Sequence, residues 1–577
     1  MKAGAPDGLG HTLLNWIPLD ADRLLQLECG DGGLGEAYKL RNPKATYVGV
    51  ERAGPAAAAA ATRIDRVIEG EFESLDVANL SEAGGFDVVI LDGVLERLED
   101  VPGSLRRLTA LLRPGGHLLC VIINPGHWSQ LAELLQGRPP SRESDTAGRR
   151  RVFTLQSLSE TLKAAELSPV KARRARLGDQ GQGERWISAL GAAIEELGLG
   201  REAFADRAAV SHYIVSCRRA SERPRPAAQF SLLANSPAFL DVRTRLPAQQ
   251  LETLPSLLVT YGERNVTLPR SAPEIPKILL QQRGWKGDGD AWLRQLGDLI
   301  GKQWVVITEH DDHPDLFREL GRGQPEGMEF ALSAAHAVQT STPALVEAFK
   351  PMNAEVRRFD NALFSLPPFV DRSEGAPKVF YGALNRERFS GSIARALTPA
   401  IQASPRVEFV VVHDKAFFEA LPTQRKRFLP AMPYEAYLRT MSECHIALMP
   451  LEGTFGESFK SDIKFLEASG MGLATIASPA VYAQTIVDGE TGLIAESEKD
   501  WAPALARLLK DRALRTRMAR NAWDYVRSER MFAYQTAERR DWYLSVWDRR
   551  LELTASLVQR HPKLAEHLPA AYRQTLS

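Results

Sequence analysis

Cysteine is scarce in this chain: Cys29, Cys120, Cys217 and Cys444 are the only four in 577 residues. They lie far apart and form no CxxC pair, which argues against a disulfide scaffold or a zinc ribbon and for a reducing compartment. Net charge is lacking too. Lys plus Arg number 72, as do Asp plus Glu, so no bulk field favours nucleic acid or an anionic membrane. No stretch approaches the ~18 uncharged apolar residues of a membrane span. The opening residues, Met1 to Gly10, carry no apolar run behind a basic start, so no signal peptide is expected. These absences point to a cytoplasmic protein without nucleic-acid partners. A lipid-linked substrate would still require peripheral membrane contact.

What is present is too long for one core. At roughly 100–200 residues per domain, three or four domains are expected. Strand patterns alternate with helical ones almost throughout, which predicts parallel sheets of α/β type. Two breaks stand out. Arg218 to Ala228 (RRASERPRPAA) is charged and proline-punctuated; without interleaved aromatics it reads as a linker rather than a nucleic-acid patch. Leu366 to Pro377 (LPPFVDRSEGAP) is the second. The predicted pieces are therefore 1–219, 220–372 and 373–577. Ala56 to Ala61 reads as a helix start.

In the first piece, Arg23 to Glu28 (RLLQLE) reads as a buried strand, followed at once by Cys29 to Gly35 (CGDGGLG) and a helix opening near Glu36. Such a turn lets backbone approach a ligand, with Gly30, Gly32 and Gly35 supplying it. The strand Thr46 to Val50 ends in Glu51, placed to accept ribose hydroxyls. Val88 to Leu91 is a third strand with Asp92 at its tip. Leu111 to Gly116 (LLRPGG) reads as a helix end and turn before a strand to Ile123. Residues 20–125 resemble a class I S-adenosylmethionine-dependent methyltransferase. The family's acidic glycine motif stands as Glu28 to Gly35, its ribose acid as Glu51, and its FDVVILD segment as Phe86 to Leu98. The resemblance implies S-adenosylmethionine as cofactor, bound through Glu28, Gly30, Gly32, Gly35, Glu51 and Asp92. Where the family usually has His after Glu96, this chain has Arg97. Arg151 to Leu162 resembles the family's late acceptor-side segment. His127 and Trp128 are candidates for substrate contact, with a structural role the commoner one for a lone His.

Across 229–365, short apolar runs include Ser256 to Thr260, Ile278 to Gln281 and Trp304 to Thr308. The last runs into Glu309-His310-Asp311-Asp312-His313. Neighbours on an extended tip point in different directions, so this cluster reads as a polar loop at a ligand-binding sheet edge rather than a metal site. In the last piece, Lys378 to Tyr381 is a strand leading into Gly382-Ala383-Leu384-Asn385-Arg386. His445 to Pro450 is another. Ser461 is expected to cap a helix Asp462 to Ser469, which Gly470 and Gly472 end. Lys464 and Glu467, three apart, share one face of it. A cation there suits a diphosphate and a carboxylate suits ribose hydroxyls.

Ala335 to Leu363 and the run KFLEASGMGLATIAS…VDGETGLI resemble a GT-B glycosyltransferase akin to glycosyltransferase family 4. Glu467 matches the second glutamate of that family's E-x7-E pattern; the first falls at Phe459, and Glu457 lies close but out of register. The fold class implied is α/β, a Rossmann-like methyltransferase-type domain followed by a GT-B fold of two Rossmann-like domains. The activity implied is hexosyl transfer from a nucleoside diphosphate sugar to a glycan, protein or lipid-linked acceptor. Lys464 and Arg386 would stabilise the leaving group, and Glu467, Gly382, Asn385, Ser461 and Asp462 would hold the donor; no metal is required. Met531 to Arg550, amphipathic and aromatic-rich, is placed to cross back to the first GT-B half. Two rival readings stay open: an active methyltransferase with a glycan-binding GT-B part, and a non-enzymatic assembly scaffold.

Overall fold

The computed structural model describes residues 8–576 apart from 77–79, 81–83, 139–150, 178–179, 221–227, 236–239, 284–286, 322–323 and 373–374. The chain divides into two compact units: Met1–Ala227 with Glu252–Leu257, and Ala228–Leu251 with Leu258–Ser577.

The strands of the first unit are β1 (Arg23–Leu27), β2 (Thr46–Glu51), β3 (Arg66–Glu69), β4 (Phe86–Asp92), β5 (Leu112–Ile123), β6 (Leu167–Ala175) and β7 (His212–Arg219). The largely apolar runs of β1, β2 and β4 are covered on both faces, while β3 and β6 keep exposed residues. Their order is β3-β2-β1-β4-β5-β7-β6. β1 pairs parallel with β2 and β4, while β7 runs antiparallel to β5 and β6. Strand order reverses at β1 and β4, so their carboxyl ends open the crevice where such sheets bind ligands. Leu112 to Gly116, expected as a turn, is instead the opening of β5, paired to β4 through an irregular register between Phe86 and Val88. The expected linker is shorter than its sequence suggests. Arg218 and Arg219 end β7 and Ala228 opens the next strand, while 221–227 lie outside the described residues.

The second unit holds two more parallel sheets. The first half contains β8 (Ala228–Ala234), β9 (Leu257–Glu263), β10 (Lys277–Gln282), β11 (Trp304–Glu309), β12 (Ala337–Thr340) and β13 (Val356–Arg358), in the order β13-β12-β11-β10-β8-β9. The second half contains β14 (Lys378–Gly382), β15 (Glu408–Val412), β16 (Lys426–Leu429), β17 (Ile446–Met449), β18 (Ala474–Ala477) and β19 (Leu493–Ile494), in the order β16-β15-β14-β17-β18-β19. All pairings in the second half are parallel, and order reverses at β14 and β17. Fully buried Asp414 ties this half together. Its carboxylate accepts from the Tyr381 hydroxyl (3.0 Å), the Ser390 hydroxyl (3.1 Å) and the Phe417 amide (2.9 Å), which satisfies a charge that burial alone would penalise.

After the second half the chain returns. Leu363 bridges Met531, and the helix Ala533–Asp548 lies on the first half, where the Tyr543 hydroxyl donates to Gln339 (2.6 Å) and the Trp547 indole to the Gln303 carbonyl (3.1 Å). Leu557, Leu564 and Leu568 share a core with Trp292, Leu296 and Val306. Two Rossmann-like halves closed by a C-terminal return are the GT-B arrangement that the sequence pattern predicts.

Candidate functional site

The carboxyl ends of β14 and β17 carry the charged groups of the second half. β14 ends at Gly382, whose carbonyl accepts a hydrogen bond from the Lys464 ammonium (2.5 Å). Asn385 then takes a left-handed conformation (φ +63°) and turns the chain so that Arg386 points inward. Arg386 is buried; its guanidinium donates to the Asn385 carbonyl (3.0 Å) and lies 3.3 Å from the Glu457 carboxylate. A cavity of about 300 Å³ opens there, lined by Asn385, Arg386, Glu457 and Thr454 with Leu316 and Glu319 of the first half.

Lys464 and Glu467 stand on the helix Ile463–Gly470. The sequence predicts one buried face, but Phe465 to Gly470 are all buried, Glu467 among them. Burial pushes the Glu467 carboxyl up to about 7, against the pull of Lys464 and of the Tyr434 hydroxyl. Burial pushes Lys464 down to about 8, with Glu467 opposing the shift and Arg386 and Lys460 adding to it. Both groups therefore titrate close to neutrality, which sets a pH window. A leaving diphosphate needs Lys464 charged, and ribose hydroxyls are best accepted by ionised Glu467. Affinity for a nucleoside diphosphate sugar is expected to fall by up to ~tenfold per pH unit below about 7, as Glu467 takes up a proton, and turnover to fall in the same way above about 8, as Lys464 loses its charge. Calorimetric titrations and initial rates from pH 5.5 to 9.5 measure the two limbs; flat profiles across that range would refute the assignment.

Two expected donor contacts are redirected. Ser461 does not cap the helix: its hydroxyl pairs with the Asn361 amide, and Asp462 occupies the cap position without a side-chain cap bond. The Asp462 carboxylate turns to Arg530 instead, in a two-bonded pair (2.7 and 2.9 Å), and accepts from the Thr485 hydroxyl (2.8 Å). Both oxygens are thereby engaged within the protein, which makes Asp462 a clamp. Glu457, set aside on register, is brought to Arg386 because the residues before the helix coil into the short 3-10 turn Gly456–Phe459. Helical spacing does not apply across that turn, so only the chemistry of an acid near the loop could have flagged it. Phe459, in the register position, stacks on His313 at 4.2 Å.

In the first unit, Glu28 sits in a left-handed conformation (φ +52°) and its carboxylate forms an ion pair with Arg97. Arg97, the departure from the family pattern, thus neutralises the first acid of the glycine motif. Glu51 turns back on the same loop: one oxygen accepts from the Gly30 amide (2.7 Å), the other from the Arg52 amide (3.0 Å). Each oxygen keeps a lone pair for a ribose hydroxyl. Gly32 (φ +78°) packs so tightly that a Cβ would lie 2.9 Å from the Ala60 Cα. Gly35 is buried in the helix Gly33–Arg41, and Asp92 is half-buried at the end of β4. A cavity of about 350 Å³ beside this loop is lined by Glu28, Arg52, Glu71, Glu73 and Arg97. His127 is a buried cap whose ring bonds Ser129, the structural role, while Trp128 lines a separate cavity with Arg176, Ile187 and Arg201.

The 309–313 run of the first half starts at the end of β11 and continues as a loop, and its carboxylates are matched by arginines and a lysine. Arg243 pairs with Glu309 (3.1 Å), Arg283 with Asp312 (2.5 Å) and Asp311 (3.3 Å), and Lys460 with Asp312 (3.1 Å). Among the described residues no group of three or more His, Cys, Asp or Glu is arranged to hold a metal ion. No helix among them is long and apolar enough to cross a membrane, and all four cysteines are buried and free.

Comparison with known proteins finds one family model within each of the two units. Residues 25–118 match the family model described as a methyltransferase domain, and residues 379–511 match the model of glycosyl transferases group 1. Over 188 residues the chain is 28% identical to a trans-aconitate 2-methyltransferase of Methylobacterium nodulans, covering 32% of this chain and 62% of that protein. It is 34% identical over 106 residues to an uncharacterized methyltransferase of Mycobacterium bovis, covering 18% of this chain and 52% of the relative. The chain thus spans about half to three-fifths of the length of these curated relatives. Among solved structures it is similar to the Anabaena protein HepE in complex with UDP and glucose, at 13% identity and a TM-score of 0.39, covering 55% of this chain and 99% of that one.

Proposed function

We infer that this chain, whose residues 25–118 match a methyltransferase-domain family model and whose residues 379–511 match the model of glycosyl transferases group 1, is a sugar-transferring enzyme. It takes a sugar from a nucleoside diphosphate sugar and passes it to a glycan, protein or lipid-linked acceptor. The observation that carries this reading is the convergence of Lys464, Arg386 and Glu467 on the carboxyl edge of β14 and β17, inside the matched domain. Negative charge grows on the diphosphate as the glycosidic bond breaks, and a preset ammonium and guanidinium meet it there. The N-terminus of the helix Ile463–Gly470 adds to that field. In this reading the three modules are 1–219, 220–372 and 373–577, the protein works in the cytoplasm, and a lipid-linked acceptor would bring it to the membrane surface.

For the first unit we propose S-adenosylmethionine binding at the Glu28–Gly35 loop, Glu51 and Asp92, with methylation of the glycosylated product. The Arg97–Glu28 ion pair favours a second reading, in which this unit binds the cofactor without transferring the methyl group. A thermal-shift panel of nucleoside diphosphate sugars and S-adenosylmethionine tests both sites. Gly32→Val is expected to abolish S-adenosylmethionine binding, since a side chain there meets the Ala60 backbone, and to leave donor binding intact. Wild-type protein that binds no nucleotide sugar would sink the glycosyltransferase reading, and undiminished cofactor affinity in the glycine variant would sink the cofactor assignment. Measured methyl incorporation into the product then separates the two readings of the first unit.

A further inference from the structure

The connection between β17 and the helix Ile463–Gly470 belongs by sequence to the second half, yet the first half holds it. Glu319, at the end of the helix Pro314–Glu319, accepts from the Gly456 amide (2.8 Å) through one oxygen and from the Thr454 hydroxyl (2.7 Å) through the other. Gly456 makes that approach possible: a Cβ there would lie 2.6 Å from the Leu316 Cα. Further along, Phe459 stacks on His313, the Thr342 hydroxyl donates to the Phe459 carbonyl (3.2 Å), and Lys460 pairs with Asp312 (3.1 Å). The connection is seated on the first half from Thr454 to Lys460.

Within it, Glu457 folds back so that one oxygen accepts from the amides of Glu452 (2.8 Å) and Gly453 (2.9 Å), while its other oxygen faces Arg386 at 3.3 Å. The Thr454 hydroxyl also receives the Glu457 amide (3.3 Å). A chain of contacts therefore runs from Glu319 through Thr454 and Gly456 to Glu457, and from Glu457 to Arg386. Glu319 grips the two residues flanking Phe455, one position short of the acid that orients the guanidinium.

We propose that Glu319 is a positioning residue for sugar transfer: acting from the first half, it fixes the 452–457 loop so that Glu457 holds Arg386 in place for the leaving diphosphate. The proposal rests on the donor-site reading above and adds to it a coupling between the halves. Because Glu319 makes no contact with Lys464 or Glu467, donor affinity depends on it little, whereas the alignment of Arg386 in the transition state depends on it strongly.

The test uses the full chain with Glu319→Ala, Glu319→Gln and Gly456→Ala. In Glu319→Ala, kcat for donor turnover is expected to fall ~10- to 30-fold with KM for the donor within ~threefold, as for a misaligned transition-state contact. Glu319→Gln keeps one acceptor and should recover part of that loss. Gly456→Ala, which pushes the loop off the helix from the other side, should reproduce it. A readout free of activity is chymotryptic cleavage after Phe455, a residue that is 61% exposed. Release of the loop should speed that cut by ~tenfold or more while Tm stays unchanged. Wild-type kcat in Glu319→Ala, unchanged cleavage, or a parallel loss of kcat, donor affinity and Tm would each overturn the proposal. A wild-type protein that turns over no nucleotide sugar refutes the donor-site reading instead, and the cleavage arm still decides whether Glu319 holds the loop.

Discussion

Replacing Lys464 by alanine is expected to lower the rate of sugar transfer or donor hydrolysis by ~10²–10³-fold, the usual loss when a preset donor to a developing anion is removed. The effect should fall chiefly on kcat. In the absence of donor the ammonium is held by the Gly382 carbonyl, so the ground state has a partner without the diphosphate. Glu467→Ala should act the other way, weakening donor binding by about one to two orders of magnitude through loss of ~1.5–3 kcal/mol of charged hydrogen bonding. The pair also makes a stability prediction. The folded-state pKa of Glu467 is raised to about 7, so the native state holds a proton that the unfolded chain releases near 4.5, and stability falls as pH rises between those values. Removing Lys464 takes away the charge that opposes this shift, so the variant should lose more stability between pH 6 and 8 than the wild type. Calorimetric Tm values across that range, with initial rates on both variants, decide the matter. Folded variants with wild-type rates and donor affinities would place the donor site elsewhere.

Much of the architecture was legible because it rests on patterns that local sequence carries. The apolar runs Val88 to Leu91 and His445 to Pro450 read as strands and fold as the buried parallel strands Phe86–Asp92 and Ile446–Met449, and the glycine-bearing segments after β1 and β14 mark the sheet edges. Boundaries set by pairing rather than by pattern were less visible. Leu112 to Gly116 has the composition of a turn, yet it extends β5 because β4 supplies a partner through an irregular register. Arg218 and Arg219 look like linker, yet β6 pairs with them and draws them into β7.

The site was legible in its residue types and less so in their partners. Lys464, Glu467 and Arg386 lie on the sheet edge that the motif order predicts, but the tyrosines beside them, Tyr434, Tyr437 and Tyr482, come from other elements. Contacts across 100 residues or more, such as Glu319 to Gly456 and Asn361 to Ser461, leave no periodic trace in the sequence. Glu457 shows the limit most clearly. A motif spacing assumes one helix throughout, and the 3-10 turn Gly456–Phe459 breaks that assumption while bringing an acid to the cavity from a position two residues away.

The largest loss of stability is expected from Asp462→Ala. Asp462 and Arg530 are only 10% and 11% exposed as side chains, so their two-bonded pair is largely shielded from water. The same guanidinium donates to the Asn361 carbonyl through two nitrogens (3.1 and 2.9 Å) and to the Tyr525 hydroxyl (2.9 Å). The pair thus pins the start of the helix Ile463–Gly470 to the crossing between the halves and to the returning chain. Truncating one member of a buried ion pair typically costs ~3–5 kcal/mol, because the remaining charge is left unmatched. Replacing both by apolar residues of similar size costs less for the same reason, so Asp462→Leu with Arg530→Met should recover part of what Asp462→Ala loses. Denaturant unfolding of the single and double variants measures the difference. A donor contact at Asp462 would give the opposite pattern: stability near wild type, with nucleotide-sugar affinity reduced in the single variant and not restored in the double. The bonds to Arg530 and Thr485 favour the first outcome, since they engage both carboxylate oxygens within the protein and fill both lone pairs of one of them.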